Sequence, residues 1–236
     1  MAKPNVWLSV SDLMTGLMVI FLFVAIAYIK RSQERQSTLQ QYVDNKQVLH
    51  DKLVAEFENE AKKGQITITG DLTMRFENAE TLFPSGGDII TPQFRVTLAN
   101  ILPRYFDILL RDSLRTKIRE IRIEGHTDDV PIPRLDPDPY MANLILSQRR
   151  SISVMRYIRS LPEFKKYSDE DRRLLEYCFT ANGFSYGRAL DSNGDFALKT
   201  GNDIARERSR RVEIRIVTAG EEVLDNFIKK KEALAK

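Results

Sequence analysis

The sequence predicts an α/β (α+β) chain made of a single N-terminal transmembrane helix, a helical stalk, and one domain in which helices pack on a mixed sheet. Three observations carry this expectation. Residues 7–29, WLSVSDLMTGLMVIFLFVAIAYI, form an apolar run with one charge, at Asp12. Residues 30–63 are polar and contain neither proline nor glycine. From Gly64 onward, segments of alternating polarity take turns with segments of helical spacing and end on a late strand, the pattern of an α/β sandwich.

The apolar run is about 23 residues long, and at ~1.5 Å per residue it reaches roughly 35 Å, enough to cross a ~30 Å hydrocarbon layer. Trp7 and Tyr28 stand near its ends, where amphipathic rings favour the headgroup region. A signal peptide has a shorter apolar core and a small-residue cleavage site, and the nearest such site, Ala25-Ile26-Ala27, lies inside the run. The run therefore reads as an anchor, preceded by a short tail, residues 1–6. An ionisable group in a spanning helix marks a proton or ion pathway or an interhelical contact by default. The competing reading places Asp12 at the interface, capping the helix with Ser9 and Ser11. Thr15 and Gly16 share a helical face with Asp12 and favour a partner helix there.

In residues 30–63, Leu39, Tyr42, Leu49, Leu53 and Phe57 follow a broken three/four spacing. This fits a stalk that forms a weak coiled coil between two copies, or equally a helix lying on its own domain. The domain expected over residues 64–218 opens with strand-turn-strand in residues 65–76, around Gly70-Asp71. A helix follows over residues 91–110, with Thr91 as N-cap and Pro92 at its first position. Residues 118–124 alternate as a strand and lead through Gly125-His126-Thr127-Asp128-Asp129 and a proline-rich loop into a helix over residues 140–159. Residues 169–176 read as helix, 177–181 as strand with Cys178 buried in it, 189–202 as a polar loop and 210–217 as the last strand. Residues 219–236 have the spacing of an amphipathic helix.

The net charge of +3 is mild and interspersed, so nucleic-acid binding is not indicated. One cysteine excludes an internal disulfide, and two histidines leave little for a zinc site. No nucleophile–base pair stands out, so the chain is not expected to be an enzyme, and no cofactor or metal is expected.

Three separated segments resemble one family. Residues 82–92, LFPSGGDIITP, resemble the LFxSGsaxLtp opening of OmpA-like peptidoglycan-binding domains. Gly125-His126-Thr127-Asp128-Asp129, then Asn143, Leu146, Ser147 and Arg150, resemble that family's GHTD…NxxLSxxRA core. Ala205-Arg206, then Ser209-Arg210-Arg211-Val212-Glu213-Ile214, resemble its closing GRxxNRRVEI. The chain departs from the pattern at Ala142, Ser151 and Ser209, and its loop between Asp128 and Asn143 is longer. The resemblance implies an OmpA-like mixed-sheet sandwich that holds the zwitterionic diamino acid of a peptidoglycan stem peptide. Asp128 would take the ammonium and Arg150 the carboxylate, the latter as a bidentate fork. Thr127, Asn143 and Leu146 would shape the pocket, with Arg211 assisting, and Asp129 and His126 would be structural or rim residues.

The N-terminal helix resembles a group within that family. Ser11-Asp12-Leu13-Met14-Thr15-Gly16-Leu17-Met18 is similar to the aDfMTaMM segment of MotB-type stator subunits of ion-driven motors. The short tail and the helix wording are closer to ZorB of the Zorya antiphage defence system than to a flagellar MotB. The resemblance implies Asp12 as proton carrier, Ser11 and Thr15 lining its pathway, and protons as the coupling ion. It also implies a homodimer inserted in a pentameric, multi-spanning MotA/ZorA-like partner in the inner membrane. The N-terminus would be cytoplasmic and the domain periplasmic, with residues 30–44 as a possible plug. Lys30, Arg31 and Arg35 outweigh Lys3, which pulls toward the opposite orientation, but peptidoglycan lies outside the inner membrane. A passive membrane-to-wall tether is the alternative.

Overall fold

Helix α1 (Val6–Glu56) is one unbroken helix that runs through both the apolar run and most of the expected stalk. The computed structural model describes residues 6–77, 79–218 and 220. The tail residues 1–5 and the C-terminal segment expected to be helical lie outside the described residues, as do the side chains of Ser11, Asp12, Leu39 and Tyr42. Leu13–Glu34 of α1 has a mean hydropathy of 2.2, and every side chain in it is exposed, so by length and composition it suits a membrane.

The chain divides into two compact units between Asn45 and Lys46, not at Gly64. The difference has a plain cause. Leu49, Leu53 and Phe57 are 2%, 1% and 0% exposed and belong to the core of the second unit. Arg104 secures this turn: its Nε and Nη1 donate to Glu56 and Glu60 at 2.7 and 2.6 Å, and its guanidinium lies over the Phe57 ring at 4.8 Å. The last turns of α1 are thus part of the domain, as in the second of the two readings of that segment.

The second unit is built on a five-stranded mixed sheet of order β1-β2-β5-β3-β4. Strands β1 (Thr67–Ile68) and β2 (Thr73–Phe76) form the expected antiparallel pair, and β2 continues antiparallel onto β5 (Val212–Thr218). Strand β3 (Ile118–Gly125) runs antiparallel to β5 on one side and parallel to β4 (Phe179–Gly183) on the other. The parallel pair needs a long crossover. It is supplied by α3 (Pro139–Ser160) and α4 (Asp169–Cys178), while α2 (Pro92–Leu109) precedes β3. Thr91 caps α2 by accepting from Phe94 N–H at 3.1 Å, with Pro92 at its first position; Asp138 caps α3 through Tyr140 and Met141 N–H. Phe94 meets Phe76 and Phe83 edge-on at 5.4 and 5.9 Å, tying α2 to β2 and to the loop before it.

Two boundaries differ from the expectation. Tyr177 and Cys178 end α4 and are not in a strand, so the buried thiol sits at a helix terminus. Arg210 and Arg211 precede β5, because residues 206–209 close into a helical turn first. The loop at 189–202 also carries a short turn, Ala197–Thr200, organised by the buried Asp191, which accepts from Thr200, Asn202 and two backbone N–H groups.

One contact sets where α3 lies. Gly125 and Gly183 are register partners at the ends of β3 and β4. A Cβ on Gly125 would stand 2.2 Å from the Ser147 carbonyl oxygen, and one on Gly183 would stand 2.5 Å from the Gln148 nitrogen. Helix backbone therefore rests directly on strand backbone there. Gln148 Nε2 donates to Ala181 O at 2.9 Å, and Ser147 Oγ accepts from Ser185 N–H at 3.0 Å, which fastens the seam.

Leu53→Ala should lower the stability of the chain by about 2–5 kcal/mol in denaturant unfolding. Val48→Ala, on the exposed face, should change it by less than about 0.5 kcal/mol; equal small effects would return residues 46–57 to a free stalk. Gly125→Ala should cost about 1–3 kcal/mol or more, because backbone must move to admit the methyl group, and far-UV circular dichroism with chemical unfolding reads this directly.

Candidate ligand-binding site

The seam of α3 on Gly125 and Gly183 brings the side chains after β3 against those of α3. Thr127 and Asp128 follow the strand end; Asn143, Leu146 and Arg150 project from α3. Together they line one cavity of about 500 Å³, closed on other sides by Phe83, Ser85 and Gly86, by Val130 to Ile132 and Arg134, and by Arg210. Five of the six expected pocket residues are thus brought together.

Three of these side chains are held by hydrogen bonds. Asn143 is fully buried, and its Nδ2 donates to Val130 O at 2.9 Å and Pro139 O at 3.1 Å. This pairing fixes the amide orientation and leaves Oδ1 as an acceptor with no protein partner. Thr127 Oγ1 is likewise buried without a protein partner. Arg150, 5% exposed, lies over the Phe83 ring at 4.9 Å and donates from Nε to Gly87 O at 2.9 Å. Those contacts use the flat face and one edge of its guanidinium, leaving the terminal nitrogens for an anion. Burial pushes the Arg150 pKa down to about 10, with Asp128 opposing that shift, so the group is still a cation at neutral pH. Asp128, 5% exposed, accepts from Val130 N–H at 3.2 Å through Oδ1 and from Arg210 Nη1 at 2.8 Å through Oδ2. The longer loop contributes a wall of its own: Arg134 donates to the Gly86 carbonyl, joining the loop after Asp129 to the loop before α2.

The sixth expected residue is elsewhere. Arg211 is 1% exposed and lies away from the cavity, donating to Glu213 at 2.6 Å and to the carbonyls of Ser209 and Arg188. Arg210 stands in the cavity instead. The two follow one another after a helical turn and their side chains diverge, Arg211 onto Glu213 and Arg210 onto Asp128, a distinction that the resemblance does not make. The signal that finds Arg210 is the turn at 206–209, which delays the strand to Val212.

Arg211 belongs to a buried charged cluster that does not line the cavity. Glu124 and Glu213 are register partners on β3 and β5. His126, fully buried and stacked on Phe184 at 5.3 Å, faces them with Nε2 at 3.7 and 3.6 Å. Arg75 and Arg211 hold Glu213, and Arg188 stands 3.5 Å from Glu124. One ligand atom from each of Glu124, His126 and Glu213 falls within 4.8 Å of the others. Three guanidinium groups already offset those carboxylates, which leaves little negative charge for a cation. Burial alone would raise the Glu213 pKa, but His126, Arg211 and Arg75 outweigh it and hold the carboxyl far below the usual range. Asp129 turns outward onto Arg206 at 2.8 Å, and that pairing lowers its pKa. His126, Asp128 and Asp129 therefore have three different sets of neighbours.

No protein-family model matches the chain. Zorya protein ZorB of Escherichia coli strain Crooks is 31% identical over 221 residues, which cover 91% of this chain and 88% of that protein. The chain belongs to the ZorB family. A ZorB from a second Escherichia coli strain is 27% identical, over 91% of this chain and 81% of its own. Among solved structures, the periplasmic domain of Helicobacter pylori MotB matches 68% of this chain and 85% of its own at 17% identity and a TM-score of 0.40. The OmpA-like domain of FopA1 from Francisella tularensis matches 65% and 81% at 17% identity and a TM-score of 0.36. For this ZorB-family chain the fold rests on its own sheet order and core, and the family rests on the sequence match.

Glu213→Gln should cost roughly 3–5 kcal/mol at pH 7, because it leaves Arg211 and Arg75 without their shared carboxylate. The depressed Glu213 pKa contributes stability above the unfolded value of 4.5 that is lost as pH falls below it. The variant should therefore show a flatter loss of stability below about pH 4.5, measured as unfolding midpoints across an acid series.

Proposed function

We propose that this ZorB-family chain is the wall-anchored B subunit of a proton-driven stator complex in the inner membrane, working in a Zorya-type antiphage defence system. The observation that carries this reading is the pairing, in one chain, of an apolar helix bearing a single carboxylate at Asp12 with a cavity lined by Asp128 and Arg150. The first feature suits proton transfer and the second suits a zwitterionic wall peptide.

In this reading α1 crosses the inner membrane once, with the N-terminus in the cytoplasm and the domain in the periplasm. A homodimer inserts in a multi-spanning MotA/ZorA-like partner, expected to be a pentamer. Asp12 takes a proton from the periplasmic side and releases it toward the cytoplasm, with Ser11 and Thr15 along the path. A unit charge crossing ~100 mV yields roughly 2.3 kcal/mol, enough to bias a two-state element in the partner. The domain binds the diamino acid of a peptidoglycan stem peptide, so the partner works against a fixed frame. Arg150 receives the carboxylate, Asp128 the ammonium, and Thr127, Asn143 and Leu146 set the shape; Arg211 holds Glu213 in the buried charged cluster and is not a contact. Residues 30–44 remain the candidate plug. Membership of the ZorB family supports a defence role over a flagellar one.

Liposomes containing this chain and its multi-spanning partner should conduct protons, and Asp12→Asn should abolish that flux while leaving assembly intact. A complex that assembles yet conducts in neither form, even after deletion of residues 30–44, would return the chain to a passive tether between membrane and wall.

A further inference from the structure

The cavity lining itself contains an ion pair. Asp128 Oδ2 accepts from Arg210 Nη1 at 2.8 Å, so the carboxylate expected to receive an ammonium is already occupied. The two partners differ in freedom: the Arg210 side chain is 29% exposed, that of Asp128 only 8%. Asp128 is also held through Oδ1 by Val130 N–H, whereas Arg210 has no second side-chain bond among the described residues. Arg210 is therefore the partner that can swing.

Two further atoms bear on what replaces it. Thr127 Oγ1 and Asn143 Oδ1 are buried acceptors in the same cavity wall with no protein partner. An ammonium arriving at Asp128 brings three donors to a wall that also carries these two oxygens, which Arg210 leaves unbonded. Across the cavity, Arg150 keeps its terminal nitrogens for an anion. A ligand bearing an ammonium and a carboxylate on one carbon would meet both halves of the pair at once.

We propose that Arg210 is a specificity-determining residue that works by ion-pair exchange. The ligand ammonium displaces it from Asp128, and the released guanidinium closes on the ligand carboxylate beside Arg150. This rests on the peptide-binding reading above and deepens it. A ligand with only an ammonium would take Asp128 from Arg210 without offering the guanidinium another anion, and one with only a carboxylate would leave Asp128 closed in its pair, so neither gains both contacts. The cavity therefore selects for both charges together.

Three related probes test this with the full-length chain in detergent: diaminopimelic acid, pimelic acid, which lacks the amines, and cadaverine, the five-carbon diamine left when both carboxyl groups are removed. Calorimetry should show wild type binding diaminopimelate well ahead of the other two. Arg210→Ala should weaken diaminopimelate by about 10- to 100-fold and at the same time tighten cadaverine, because Asp128 is unmasked. Asp128→Ala should do the reverse, weakening diaminopimelate and tightening pimelate on two freed arginines. Arg210→Lys, which keeps the charge without the fork, should fall between wild type and Arg210→Ala for diaminopimelate and separates exchange from a loss of folding. If diaminopimelate binding needs Asp128 and Arg150 but is unchanged in Arg210→Ala, or if wild type takes pimelate as tightly as diaminopimelate, the exchange is wrong while the peptide-binding reading stands. If no probe binds wild type, or Arg150→Ala binds diaminopimelate as wild type does, the peptide-binding reading falls and the exchange with it.

Discussion

The backbone-on-backbone contact of α3 with the ends of β3 and β4 is the constraint on which the site depends. A side chain at Gly125 or Gly183 would hold the helix off the sheet. Asn143, Leu146 and Arg150 would then move away from Thr127 and Asp128, and the cavity would lose the facing charges that define it. The helix start is set independently by the Asp138 cap, and Asn143 ties that first turn back to the loop after Asp129. The site is thus assembled by one steric fit and two short hydrogen-bonded connections, not by the length of the crossover.

Charge is layered around that contact. On the sheet side, Glu124, Glu213 and His126 are enclosed by Arg75, Arg188 and Arg211, so the buried carboxylates are balanced before any ligand arrives. On the cavity side, Asp128, Arg150 and Arg210 are left partly uncommitted. Burying an unbalanced charge is costly, and removing one member of a balanced cluster is more costly still. This explains why two consecutive arginines, Arg210 and Arg211, have unrelated surroundings: one lines the cavity and the other completes the buried cluster.

Much of this was legible in the residues. The strand pair around Gly70-Asp71, the cap at Thr91, the strand ending in Gly125 and the helix carrying Asn143 and Arg150 all follow from periodicity and turn chemistry, and five pocket residues from a motif spanning three segments. What was not legible has physical reasons. The family motif does not separate two neighbouring arginines, and alternation in RRVEIRIV does not reveal that the strand begins only at Val212, after a helical turn at 206–209. Leu49, Leu53 and Phe57 have the spacing that either a second helix or the domain's own core would bury, and only the tertiary partner, with Arg104 reaching back, decides. Cys178 is apolar enough for either a helix end or a strand.

The junction at Lys46 has a mechanical meaning. Because Leu49, Leu53 and Phe57 lie in the core, a pull on Lys46 has to draw apolar side chains out of it, with Arg104 bridging Glu56 and Glu60. Such a load is resisted by many contacts sliding together, whereas a pull on an edge strand would open its hydrogen bonds one after another. The short edge strand β1 is thereby spared, and the load falls on the core.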